Sequence, residues 1–278
     1  MKVTAKRLLA LGVLAMASTA AMATTTVPTT IDYTQPLTDF ADDGTVLFHI
    51  YSTDVSSSSA AYSYTASLGL TLSQIQPSDM STTLTWTLTG LSGIPTSVLS
   101  SGKLAWGINA INYDSGPPGN AAGSEQIATT LTSAGVASLA TANNANMDVQ
   151  VQNFNNEAEQ INNNCATPGL CTTSSTSDTW YWTTTAGASL GQSGGLLQSD
   201  GALASSMAFY LLSNSSGVGT DLLNTAKYAG VWSLSIANGV GTLTYTVSAV
   251  PLPAAAWLLL SGLIGMGLVG RSKRLTLA

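Results

Sequence analysis

The chain sets fourteen acidic residues against eight Lys and Arg in 278 residues, with 45% hydrophobic and only 8% charged side chains. All fourteen acids, from Asp32 to Asp221, lie in the central stretch, where Lys103 and Lys227 are the only bases; the other six bases sit in the two terminal segments. A central domain of that charge is repelled by nucleic acid and by anionic lipid, which excludes nucleic-acid binding as its function.

The chain opens with Lys2, Lys6 and Arg7, then a short apolar stretch over 8–16, then Ala21-Met22-Ala23. This order of basic region, apolar core and A-x-A site predicts a Sec signal peptide over 1–23. Cleavage after Ala23 would leave Thr24 as the first mature residue, and the apolar run is too short for a stable span. The Sec translocon is then the first partner expected.

Residues 24–249 are enough for one all-β domain with a sizeable core. Asp42-Asp43-Gly44 makes a turn before the first strand. Over 45–53, Val46, Phe48 and Ile50 alternate with Leu47, His49 and Tyr51, predicting a strand that places His49 on the outward face. The same period of two runs over 62–72 (Tyr62, Tyr64, Ala66, Leu68, Leu70, Leu72) and 82–90 (Leu84, Trp86, Leu88). The stretch 103–111 is more apolar, with Lys103 and Asn109 its charged and amide residues, and fits a strand buried on both faces.

The central third is less regular. It predicts a helix from about 124 to 140 and a second around 149–161, where Val151, Phe154, Ala158 and Ile161 recur at helical spacing, although its many Asn residues disfavour that state. This third reads as an insertion or loop-rich cap. Cys165 and Cys171 flank Thr167-Pro168-Gly169-Leu170, a turn sequence that brings the thiols together, and in an exported chain the pair predicts a disulfide.

Trp180, Tyr181 and Trp182 follow. On a strand, Trp180 and Trp182 share one face about 7 Å apart, either as a platform on which sugars stack or as core. Strand patterns return over 206–213, 230–237 and 241–250. Asn238-Gly239 joins the last two as a type I′ hairpin turn. The whole predicts an antiparallel β-sandwich or jelly roll with a partly helical insertion. Trp86, Trp106 and Trp232 fall within strands and are core candidates.

Little in this stretch points to catalysis. His49 is the only histidine, and no G-x-S-x-G elbow accompanies it for a Ser-His-Asp site. Glu125, Glu157 and Glu159 are candidate carboxylates for glycoside hydrolysis, but Glu157 and Glu159, two residues apart, diverge on a helix. No P-loop, dinucleotide fingerprint, EF-hand or zinc ligand set occurs, so no cofactor and no specific metal site is expected, while a calcium site built from the acids and backbone carbonyls stays open.

After 249 come Val250, Pro251, Leu252, Pro253 and Ala254, then a 17-residue uncharged run over 254–270, then Arg271, Lys273 and Arg274. The two prolines stop the last strand. The run would form a helix about 26 Å long, at the lower limit for a bilayer span. The cations would hold its far end in the cytoplasm by the positive-inside rule. This order resembles the VPLPA variant of the PEP-CTERM protein-sorting signal, over 250–278. The commoner form has Glu where Leu252 stands, and the tail past the basic cluster departs mildly from the usual ending. The resemblance implies an exosortase, a membrane-embedded sorting protease, as partner. It also implies an inner-membrane intermediate and display or release at the surface of an exopolysaccharide-producing Gram-negative bacterium. The expected function is thus a non-enzymatic surface or extracellular-matrix protein associated with exopolysaccharide. A carbohydrate-binding module using Trp180 and Trp182 is the alternative, and a secreted polysaccharide hydrolase a more distant one.

Overall fold

A computed structural model describes residues 43–53, 61–100, 102–112, 122–165, 170–173 and 200–247. The chain divides into two units, 1–247 and 248–278, and all described residues belong to the first.

Its architecture is antiparallel β. Strand β1 (Thr45–Ser52) lies between β2 (Ser63–Thr71) and β4 (Leu104–Asn112). Phe48 stands opposite Ala66 on one side and Ile108 on the other, and Ile50 opposite Tyr64 and Trp106. With β3 (Leu84–Leu88), β5 (Gln126–Leu131), β6 (Leu170–Thr173), β7 (Gly201–Ala202), β8 (Met207–Ser213), β9 (Asn224–Ala237) and β10 (Val240–Val247), one sheet forms in the order β3-β10-β9-β8-β5-β4-β1-β2-β6, and β7 pairs with β4.

The strands expected at 45–53, 62–72, 82–90, 103–111, 206–213, 230–237 and 241–250 thus form at those positions; β9 begins six residues earlier, at Asn224, and 248–250 lie outside the described residues. The β9–β10 hairpin turns at Asn238 and Gly239, with φ of 53° and 74°. Those are the left-handed values a type I′ turn requires. A side chain at Gly239 would also come within 2.7 Å of Ser92 Cα.

The sheet curls until β3 faces β2. Trp86 Nε1 donates to the Leu68 carbonyl at 3.2 Å, and the Tyr64 hydroxyl donates to the Thr89 carbonyl at 3.0 Å. The inward residues make the main core, including Phe48, Tyr64, Leu68, Trp86, Trp106, Phe209, Tyr228, Trp232, Leu243 and Tyr245. Trp86 and Trp232 have ring centroids 5.1 Å apart, and Phe209 and Tyr228 4.4 Å. Such pairs add about 1 kcal/mol each beyond the burial of their area. The expected core tryptophans, Trp86, Trp106 and Trp232, are all buried here.

A second core covers the other face of the central strands. Helix α1 (Thr96–Ser100) precedes β4; α2 (Ser133–Ser138) and α3 (Asn144–Asn164) follow β5. Helix α3 buries Met147, Val151, Phe154 and Ile161 with Leu47, Tyr51, Ile127, Leu131 and Leu212 of the sheet. Asparagine is a poor helix former, so packing and end contacts hold this Asn-rich helix. The Asn143 side chain caps its N-terminus by accepting from Asn146 N at 3.0 Å. The Asn144 amide donates to the Ser216 and Val218 carbonyls, both at 2.9 Å. At the far end, Cys165 is disulfide-bonded to Cys171 on β6. Among the described residues no helix is long and apolar enough to cross a membrane.

The helix expected over 149–161 is therefore present and longer. The one expected over 124–140 is not: β5 occupies 126–131, and helix starts only after Thr132, whose hydroxyl accepts from Gly135 N. Both faces of β5 are covered, so its pattern does not alternate, and Ile127, Thr129 and Thr130 supply the β-branched preference for strand.

The disulfide closes a short loop, so Cys165→Ser with Cys171→Ser is expected to cost about 2 kcal/mol. Hydrogen exchange checks where. Amides of β6 and the last turns of α3 should lose protection before those of β1 and β4; uniform loss would contradict a local clamp.

Candidate functional site

On β1, Leu47, His49 and Tyr51 share the face that α3 covers. The alternation predicted His49 to point away from the main core, and it does. Its expected solvent exposure is wrong: the residue is 0% exposed, because the second core closes over this face.

Its imidazole is bonded at both nitrogens. Nε2 lies 2.8 Å from Asp200 Oδ1, and Nδ1 lies 3.3 Å from Asn109 Nδ2. The Tyr51 hydroxyl donates to the second carboxylate oxygen, Oδ2, at 3.1 Å. The Thr129 hydroxyl donates to Asn109 Oδ1 at 2.6 Å. The Thr129 hydroxyl also lies 3.1 Å from the Thr130 carbonyl. With the Asn109 NH₂ turned towards His49, Nδ1 is the acceptor in that contact and Nε2 is left to donate to Asp200.

Four parts of the fold build this network. The register sets Asn109 opposite Thr129 across β4 and β5, and His49, opposite Gly107, lies diagonal to Asn109 on the same face. Asp200 arrives from the chain entering β7, which is held on β4 by the pairing of Gly201 with Trp106 and by a 3.1 Å bond from Trp106 Nε1 to the Ala202 carbonyl. Gly107 stands opposite His49 and leaves the space for the pair. A Cβ there would collide with Asp200 Oδ1 and lie 2.8 Å from His49 Nε2.

Chemically, the ring is turned the other way from a Ser-His-Asp arrangement: Nε2, the nitrogen that there meets the nucleophile, meets Asp200, and Nδ1, which there meets the carboxylate, meets the Asn109 amide. The nearby hydroxyl, on Thr129, donates to Asn109 and not to the ring. As arranged, the network satisfies five buried or half-buried polar side chains and fastens Asp200 to the sheet.

The other sequence candidates fall as follows. Asp43 accepts from Ser73 N at 2.7 Å and from the Ser73 hydroxyl at 2.6 Å, tying the start of β1 to the 3-10 turn Leu72–Ile75 after β2. Glu125 is buried and Glu159 exposed. Among the described residues no three His, Cys, Asp or Glu side chains are grouped to hold a metal ion. Ala21, Ala23, Thr24, Asp42, Trp180, Trp182, Val250, Pro251, Leu252, Pro253, Ala254, Arg271, Lys273, Arg274 and the Glu157 side chain lie outside the described residues. Sequence reasoning missed Asp200, Asn109, Thr129 and Gly107. The lone visible signal was Gly107, an unexplained glycine inside a strand.

Two tyrosines are strongly perturbed. Burial pushes the Tyr62 and Tyr228 hydroxyls well above the ordinary tyrosine value; at Tyr228 the neighbouring Tyr245 and Asp79 push the same way. The Tyr228 hydroxyl is buried and has no hydrogen-bond partner among the described residues, so none of them would stabilise its phenolate. Above about pH 10 the unfolded chain loses tyrosine protons that the fold retains, so stability falls as pH rises. The share of tyrosinate absorbance owed to Tyr62 and Tyr228 should therefore appear only as the far-UV dichroism is lost. With Tyr228→Phe the alkaline midpoint should move up; an unchanged midpoint would contradict this assignment.

Compared with known proteins, the chain matches no family model, no curated protein and no solved structure.

Proposed function

We propose that this chain is an exported, non-enzymatic surface or extracellular-matrix protein, sorted through its C-terminal segment and associated with exopolysaccharide. One observation carries the reading. Val250-Pro251-Leu252-Pro253-Ala254, the uncharged run 254–270 and the Arg271, Lys273, Arg274 cluster stand in the order of a PEP-CTERM-type signal, in a chain that opens with a Sec-type signal peptide. The disulfide supports an oxidising compartment. The curled antiparallel sheet, read as a sandwich-like domain, is the part delivered.

Intact-mass measurement of the protein from cells with and without an exosortase tests this. The mature form is expected to start at Thr24 and to lack Arg271, Lys273 and Arg274 only when the sorting enzyme is present. Pro251→Ala with Pro253→Ala should accumulate the uncut form. Retention of the basic cluster in the mature protein of exosortase-positive cells would overturn the sorting reading.

A further inference from the structure

Strand β3 ends the sheet: it pairs with β10 on one side, and among the described residues no strand pairs with it on the other. Edge strands are commonly blunted by Lys, Pro or a bulge. In β3, Leu-Thr-Trp-Thr-Leu, none is present, and its register with β10 runs unbroken from Leu84 to Leu88. The opposite edge, β6, is tied to α3 by the Cys165–Cys171 disulfide.

The chain on either side of β3 and along β10 is as neutral as the strand, with Asp79, next to Met80 at the Leu84 end, the nearest acid in sequence. No Asp, Glu, Lys, Arg or His occurs between Asp79 and Lys103, or between Lys227 and the end of β10. In a chain whose central stretch has fourteen acids and two bases, a second copy is repelled wherever acids meet. The β3 end is where that repulsion is absent. The outer face there is an aligned set of hydroxyls: Thr87, Thr242 and Ser235 form one row across β3, β10 and β9, and Thr85, Thr244 and Ser233 the next.

From this neutral, unblunted edge we infer that β3 pairs antiparallel with β3 of a second copy, about a two-fold axis through Trp86. Leu84, Trp86 and Leu88 are buried and Thr85 and Thr87 exposed, so only registers that keep this alternation are allowed. Among those, the one centred on Trp86 pairs all five residues. It sets Thr85 opposite Thr87 of the second copy and continues both hydroxyl rows across the axis. A five-residue pairing is small, which makes the dimer reversible and concentration-dependent. It requires no particular cellular location, so it stands or falls apart from the sorting reading.

The test uses the full-length chain in mild detergent. Its own cysteines are already paired, so single Thr85→Cys and Thr87→Cys variants introduce one thiol each. Under mild oxidation a mixture of the two is expected to form disulfide dimer several-fold faster than either alone, because position 85 faces position 87. The weight-average mass by sedimentation should rise towards twice the monomer with concentration. Thr85→Lys with Thr87→Lys should abolish that rise while leaving the dichroism and melting point unchanged. A chain that stays monomeric at every concentration overturns the inference. So do equal cross-linking rates in the mixed and single samples, which would place the contact elsewhere. A melting point lowered by the lysine pair in a monomeric chain would show that β3 pairs with a segment of its own chain instead.

Discussion

Gly107→Ala is expected to destabilise the domain by about 3 kcal/mol, combining overpacking with the loss of buried hydrogen bonds. The new methyl would occupy the space of Asp200 Oδ1 and press on His49 Nε2, both nearly inaccessible to solvent. It acts on groups from β1, β4 and the entry to β7 together, so no single side-chain rotation relieves it. For a domain of this size the loss lowers the melting temperature by roughly 6–12 °C. Gly93→Ala is the control: a Cβ there meets nothing nearer than Tyr62 Cε2 at 3.9 Å, and its cost should stay within about 0.5 kcal/mol. In an Asp200→Ala background the Gly107→Ala penalty should shrink, because the first obstacle is gone. Full additivity would show that the glycine serves another purpose.

Asp200→Ala is the second large effect. It removes the acceptor for both His49 Nε2 and the Tyr51 hydroxyl and leaves two buried donors without it. The expected cost is about 2–4 kcal/mol by denaturant unfolding. Asp200→Asn, which keeps one oxygen for His49, should cost less. A double-mutant cycle of Asp200→Ala with His49→Leu should give a coupling of about 1–3 kcal/mol. A coupling near zero would mean the 2.8 Å contact contributes nothing to stability, and the network would lose its role as the fastening of Asp200.

The contrast between His49 and Trp86 shows what is legible in a sequence of this kind. Both sit on strands with plain alternation, and alternation assigns a residue to one of two faces. For Trp86 that was sufficient, since its face is the one where the described tryptophans and most of the large aromatic side chains gather. For His49 it gave the correct face and the wrong environment, because the cover over that face is α3, about a hundred residues later in the chain. Asp200 was invisible for the same reason: no local pattern links it to a histidine 151 residues away. Strand β5 shows the complementary failure, since a strand covered on both sides loses the period that identifies it.

By itself the sequence determined the features that depend on neighbours in the chain. These are most strand positions, the Asn238-Gly239 turn, the central part of α3 and the closeness of Cys165 to Cys171, each legible in backbone preference or side-chain period over a few residues, although α3 is held by packing and end contacts. Its two ends also carry the whole of the sorting reading, as ordered linear motifs. Only the tertiary structure decided that β1 is covered on both faces, that His49 meets Asp200 above a glycine, and that β3 is left at the edge. Those outcomes come from strand order and from which surfaces close over one another. The energies that select them lie in contacts between segments far apart in the chain, which no local window of sequence contains.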